Sequence, residues 1–548
     1  MNIPTVAAIL FATWPQFGRD AAHTGSTTVA AQPFQTVLAS VVMDPFVSAE
    51  LAYYGTDLYV HYGTPIIDGD DVFVEMKGGT FTPGNWSTQT WGVRALRWQG
   101  NRLVERWTVT SDWQPVPFTG GGVGPFFEPV FQPILANGFL YMPGSGSSVL
   151  RVNRDTGAIV DRLSPGSPPP NSRDFISGPL VADVTGKIYY NVLVLLATSN
   201  PWIVDIPNGW LVRIAPDGTT KVVTYSSIVT GAPTPTAQCR GVFADTDLPW
   251  PPSPAAIPPS VTCGSQRPGL NVAPAIANDG TIYTVSRAHF NSRYGYLVAL
   301  NPDLTPKWTA SLRDRLNDGC NVTLPPNGTP GGCNAGAFPG VDPADNTNGA
   351  GRVHDDSSSS PMIAPDGSVF YGAYTRYNYS QGHLMHFSAS GVYLGSFKFG
   401  WDVTPGIYQR NNSYIIIIKD NHYPLRSYCD NPTFCPNVRP AGDPQGYFVT
   451  ALNPTLQVLW STPSPTGFEW CINGPAIDGN GVSYINSEDG FLYAINPDGS
   501  LRQSIKLTEA IGQAYTPVVI DDHGRVYAEK AGTVFVVGGP LRLRAVRR

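Results

Sequence analysis

The chain has 548 residues, a formal net charge of −6 and only 14% charged residues, against roughly 25% in ordinary soluble proteins. No Lys/Arg run marks it for nucleic acid or an anionic membrane surface, and no stretch approaches the ~20 apolar residues of a membrane span. With 57 Gly, 52 Pro, 11% aromatic and 42% hydrophobic residues, it reads as a turn-rich all-β chain with a real core, not a disordered one.

Residues 1–13, MNIPTVAAILFAT, hold a short apolar run without a basic leader and are read as the remnant of an export signal. Residues 14–548 are read as one domain. It opens on WPQFGRDAAHTG, Trp14 to Gly25, which has neither helix nor strand periodicity. TVLASVVMD, Thr36 to Asp44, is apolar but has no local strand to pair with.

From there one phrase recurs: a Pro, two or three apolar residues, a polar turn usually carrying Gly, then apolar and aromatic residues. The clearest copies are PAIANDGTIYTV from Pro274, PMIAPDGSVFYG from Pro361, PAIDGNGVSYIN from Pro475 and PVVIDDHGRVYA from Pro517. Weaker copies start at Pro65, Pro133, Pro179 and Pro405, giving eight anchors. Each phrase predicts a β-hairpin, with Pro at the strand start where no ladder donor is needed. A second hairpin follows each, as in YLVALNPDLTPKW ending at Trp308 and YFVTALNPTLQVLW ending at Trp460. Two hairpins per unit make four antiparallel strands, so the expectation is an eight-bladed β-propeller. After Pro517 only three strands are evident. The economical closure has the Thr36–Asp44 strand complete the last blade and remove its open edge. The C-terminal LRLRAVRR is the competing candidate.

Three inserts, near 234–268, 317–353 and 420–445, interrupt the repeat. Each holds a sequence-local cysteine pair: Cys239 with Cys263, Cys320 with Cys333, and Cys429 with Cys435. Paired cysteines in Pro/Gly/Asn-rich loops read as disulfide staples and place the protein in a secreted or periplasmic setting. No CxxC spacing or Cys/His cluster supports zinc.

WPQFGRDAAHTG resembles the W-P-x-F-G-x-D-x-x-x-T-G opening of PQQ-like β-propellers, the family of quinoprotein alcohol dehydrogenases and of the BamB assembly lipoprotein. The A-[LI]-N-P…W phrase resembles that family's tryptophan docking motif, although Trp stands there in only three units, Trp107, Trp308 and Trp460. The resemblance implies that the opening segment packs on the ring before the closing strand, with Trp14 and Phe17 anchored in apolar grooves. In the dehydrogenase branch it further implies PQQ in the central funnel, Ca²⁺ held by carboxylates and an Asn amide, and an Asp as base. Neither a CxxCH haem motif nor an adjacent Cys-Cys pair accompanies these features.

Residues just before each Pro anchor are expected at one mouth of the channel. The catalytic candidates there are His354, Asp355, Asp356 and Glu469, groups able to move a proton or share a cation. Asn271, Trp401, Asp402, Trp470, Asn473 and Tyr515 are candidate ligand contacts, the indoles for a flat ligand. No metal is named by the pattern, and PQQ and Ca²⁺ rest on the resemblance alone. The leading expectation is a monomeric, non-catalytic binding or scaffold module for a protein, peptide or glycan. The alternatives are a PQQ/Ca-dependent alcohol or sugar dehydrogenase, and a hydrolase or lyase using His354, Asp355 and Asp356.

Overall fold

The computed structural model describes residues 14–55, 57–83, 85–116, 128–165, 173–198, 200–243, 256–316, 341–342, 347–355, 359–375, 382–422, 446–470, 474–513 and 517–539. Its strands build eight antiparallel sheets arranged as blades: 66–110, 134–163, 174–224, 266–311, 362–399, 406–463, 476–506, and 518–538 with 36–42. Each blade's inner strand follows its Pro anchor. In blades three and four a second short piece, Asp174–Ile176 or Gln266–Pro268, extends that inner edge. The closing strand is Thr36–Val42, paired antiparallel with Thr533–Gly538 as the outermost strand of blade eight. Residues 540–548, the competing candidate, lie outside the described residues.

The turns form for a local reason. In these turns the Asp side chain accepts the backbone N–H two residues on, as Asp279 does from Thr281, Asp366 from Ser368, Asp478 from Asn480 and Asp521 from His523. This Asx geometry closes the hairpin through a bond local in sequence.

The docking tryptophans explain how blades adhere. Trp107, Trp308 and Trp460 lie on outer strands and cover a turn glycine of the next blade, Gly157, Gly391 and Gly499. The indole N–H groups donate to nearby turn carbonyls, of Arg154, Ala389 and Pro497. A Cβ on any of these three glycines would come within 2.8 Å of the indole, and each has φ above +70°, so the contact and the turn both require Gly. Where blade seven carries Gln503 instead, its amide oxygen accepts the N–H of Phe34.

The opening segment answers the puzzle of its composition. It bonds to the eight blades in chain order. Trp14 exchanges backbone bonds with Ile67, and Pro15 accepts from Leu135. Gln16 pairs through its side chain with Ala182. Ala21, Ala22, Thr24 and Gly25 accept from Ile276, Ile363, Ile407 and Ile477, and Gln32 donates to Gly524. Most of these donors stand two residues after a Pro anchor, at the inner edge of the sheet. The segment is therefore a hub that satisfies inner-edge N–H groups which would otherwise face the axis. Trp14 and Phe17 are buried, 2% and 5% exposed. Gly25 must be glycine, because a Cβ there would sit 2.6 Å from the Pro475 carbonyl oxygen.

Of the expected disulfides, Cys239–Cys263 is formed in the first insert, joining strand Gln238–Arg240 to the residue just after its antiparallel partner Ser260–Thr262. Cys320, Cys333, Cys429 and Cys435 lie outside the described residues.

Candidate functional site

Several polar groups on the connectors between blades bond to neighbouring connectors. Thr64 N–H donates to Gln132 Oε1 at 2.5 Å. Asn271, at φ +62°, accepts from Val130 N–H at 2.8 Å and donates its own N–H to the Ser177 carbonyl. Ala273 donates to Ser360 Oγ, and Ser360 to Thr404 Oγ1, both at 2.9 Å. Asp402, fully buried, accepts from Ser359 N–H at 3.1 Å.

Asp355 is held as a structural ion. Arg267 grips both its oxygens, at 2.8 and 2.5 Å, and Arg287 adds a contact at 3.2 Å. Burial alone would raise its pKa, but the two guanidiniums hold it well below the usual carboxylate range. Arg267 also bonds His289 Nδ1, whose pKa is held down to about 3 by burial and then by the arginines. His354 and Trp401 both pack on the Tyr374 ring, at 5.4 and 5.6 Å between centroids. The structure thus gathers His354, Trp401 and Tyr374 around blade five, with Asp402 nearby in sequence on Ser359. Trp470 instead packs on Tyr493 and exchanges backbone bonds with the Asn421 amide. Glu469, half-buried, offers its backbone carbonyl to Ser487 and Glu488. Asp356, Asn473 and Tyr515 lie outside the described residues.

Sequence reasoning missed the densest charge cluster. Lys77 Nζ lies 2.9 Å from Asp44, 2.8 Å from Glu128 and 3.4 Å from Glu50, all essentially without solvent contact. Trp91 Nε1 donates to Glu128, and Tyr62 hydroxyl to Asp44. Burial raises Glu50 to about 7 despite Lys77. Beside it Glu75 accepts Gly63 N–H at 2.7 Å, and burial lifts its pKa to about 8. Glu529 is buried, with no hydrogen-bond partner on either oxygen among the described residues, and burial followed by the nearby Glu75 pushes its pKa well up. The available signal was VFVEMKGG, where Glu75 and Lys77 share one face of a strand otherwise built for the interior.

Comparison with family models found no match, and no curated protein matches. Solved structures do. A europium-containing methanol dehydrogenase is similar over 94% of this chain and 89% of its own, at 10% identity and TM-score 0.50. Quinohemoprotein alcohol dehydrogenase from Comamonas testosteroni matches over 98% and 82%, at 13% identity and TM-score 0.50. The chain has the PQQ-like propeller fold. BamB from Moraxella catarrhalis is also similar, over 92% of this chain and 99% of its own, at 13% identity and TM-score 0.41.

The PQQ-like fold prompts a test of whether the described residues suit PQQ and Ca²⁺. A hard cation needs several oxygens converging on one point. No group of three His, Cys, Asp or Glu side chains among the described residues is arranged to hold a metal. The Asn271 oxygen is engaged by Val130, and Asp355 by two arginines that a carboxylate-rich quinone would itself require. The described residues do not fit the pair.

Proposed function

We propose that the protein is an exported PQQ-like propeller that acts as a non-catalytic binding or scaffold module for a protein, peptide or glycan partner. The observation that carries this reading is the fate of Asp355. Asp355, one of the four catalytic candidates named from the sequence, is clamped by Arg267 and Arg287, which hold its pKa well below the usual carboxylate range and make it a poor proton acceptor. The hub segment adds to it, since a rigid plugged ring leaves the rim free to vary for recognition. The Cys239–Cys263 bond supports export.

The test is thermal unfolding with PQQ plus Ca²⁺, against Ca²⁺ alone and EDTA. A ligand at 100 times its Kd stabilises the native state by about 2.7 kcal/mol. The expected result is no PQQ-dependent shift and no dye-linked alcohol oxidation. A saturable PQQ shift would replace this reading with the dehydrogenase one.

A further inference from the structure

A cavity of about 10 Å³ lies against the opening segment. Trp14, Phe17 and His23 line it from that segment, and Thr64, Pro475 and Pro517 line it from the strand starts of blades one, seven and eight. Among the described residues, none of its walls is an Asp, Glu, Lys or Arg side chain. A space of this size suits one water molecule and little else.

Two polar atoms on the lining residues are unspent. Trp14 is 2% exposed, and its indole Nε1 has no hydrogen-bond partner among the described residues. His23 is 1% exposed, and its Nε2 has none there either. The state of the imidazole follows from its other nitrogen. Nδ1 lies 2.7 Å from the Pro361 carbonyl oxygen, which can only accept, so Nδ1 carries the proton. Burial lowers the pKa of the ring to about 4, which leaves it neutral at pH 7 and makes Nε2 a bare acceptor. The cavity therefore has one donor and one acceptor on its lining residues, each costly to leave unpaired away from bulk water.

An occupant that serves both must accept from the indole and donate to the imidazole. A simple cation has no lone pair for the N–H, and a simple anion has no proton for Nε2. A hydroxyl does both, and the volume limits it to water. We propose that one water is a fixed part of the hub, accepting from Trp14 Nε1–H and donating to His23 Nε2. Trp14 is bonded to Ile67 of blade one, and His23 to Pro361 at the start of blade five, halfway round the ring. The water completes a strut between them that runs from blade one through indole, water and imidazole to blade five. The site is independent of the binding-module reading.

The experiment is a high-resolution crystal structure of the full chain, paired with a rotating-frame spectrum of its indole N–H groups against water in solution. One ordered peak within about 3.2 Å of both nitrogens is expected. In solution the Trp14 indole proton should show a cross-peak to water with the sign of a dipolar contact, which is opposite to that of proton exchange. Trp14→Phe keeps a ring and loses the N–H. It identifies that resonance by its disappearance and should displace the peak in the crystal. His23→Asn keeps a donor for Pro361 and lacks Nε2, and should weaken the same peak. No density between the two nitrogens of the parent, or a peak in contact with one of them alone, would overturn the strut. A crystal peak without the dipolar cross-peak in solution would overturn the water as a fixed part of the hub.

Discussion

His23 Nδ1 lies 2.7 Å from the carbonyl oxygen of Pro361, 338 residues further along the chain, and donates to it. The imidazole is buried against Phe17, 5.1 Å between centroids, and burial lowers its pKa from 6.5 to about 4. The neutral ring is the native one. Stability from this group is complete above pH 6.5 and is lost as pH falls through 4. Denaturant midpoints should therefore decline across that window, by an amount on the order of 3 kcal/mol from this residue. His23→Asn keeps a donor but cannot titrate, so its midpoint should vary less between pH 6.5 and 4.

Trp14 is 2% exposed and bonds through its backbone to blade one. Trp14→Ala should cost about 3–5 kcal/mol, the usual range for a buried aromatic. A urea midpoint unchanged from the parent would show that the hub contributes little to holding the ring.

Lys77 neutralises part of a buried carboxylate group. Lys77→Met leaves Asp44, Glu50 and Glu128 without their cation and should cost about 3–5 kcal/mol at pH 8. The deficit should shrink toward pH 5 as the carboxylates take up protons, which chemical denaturation at the two pH values will read.

Glu75 works in the opposite direction to His23. Its native pKa of about 8 against an ordinary 4.5 means that the protonated carboxyl is the folded form. Its contribution is full below pH 4.5 and is lost as pH rises through 8. Glu75→Gln, which can still accept from Gly63, should melt above the parent at pH 9 and close to it at pH 5. Glu529 has the same sign, so adding Glu529→Gln should flatten the alkaline side further.

Cys239–Cys263 closes a loop of 24 residues in sequence. Losing a disulfide of this kind typically costs about 2–4 kcal/mol. Replacing both cysteines with Ser should expose the insert to limited proteolysis before the ring melts. Equal protease resistance in both proteins would show that the insert is held by its packing instead.

The blades were legible because their signals are local. Pro274, Pro361, Pro475 and Pro517 each announce a strand, and Asp-Gly turns write their own hydrogen bonds. The closing strand was legible by subtraction, since Thr36–Val42 had no neighbour and blade eight lacked one. The charge cluster was not. Asp44, Glu50, Lys77 and Glu128 lie on a connector, a helix, a strand and a second connector, and no spacing rule joins them. Helix Val47–Tyr54 was missed as well, because eight residues with one charge show no helical stripe. Asn271 was expected at the channel mouth, but its bonds to Val130 and Ser177 were not legible, because hydrogen bonds between blades depend on the ring being assembled.

That pairing of Thr36 with Gly538 has a bearing on biogenesis. A chain leaving the ribosome offers the first seven repeats long before the eighth, and N-terminal segments fold first during synthesis. Throughout that interval the strand 36–42 has no partner, and the segment that gathers the inner edges has only some of them to bind. The circle can be sealed only after the last repeat has emerged. Nascent protein is then an unfinished arc with an adhesive end, and a holding chaperone would find its natural substrate there.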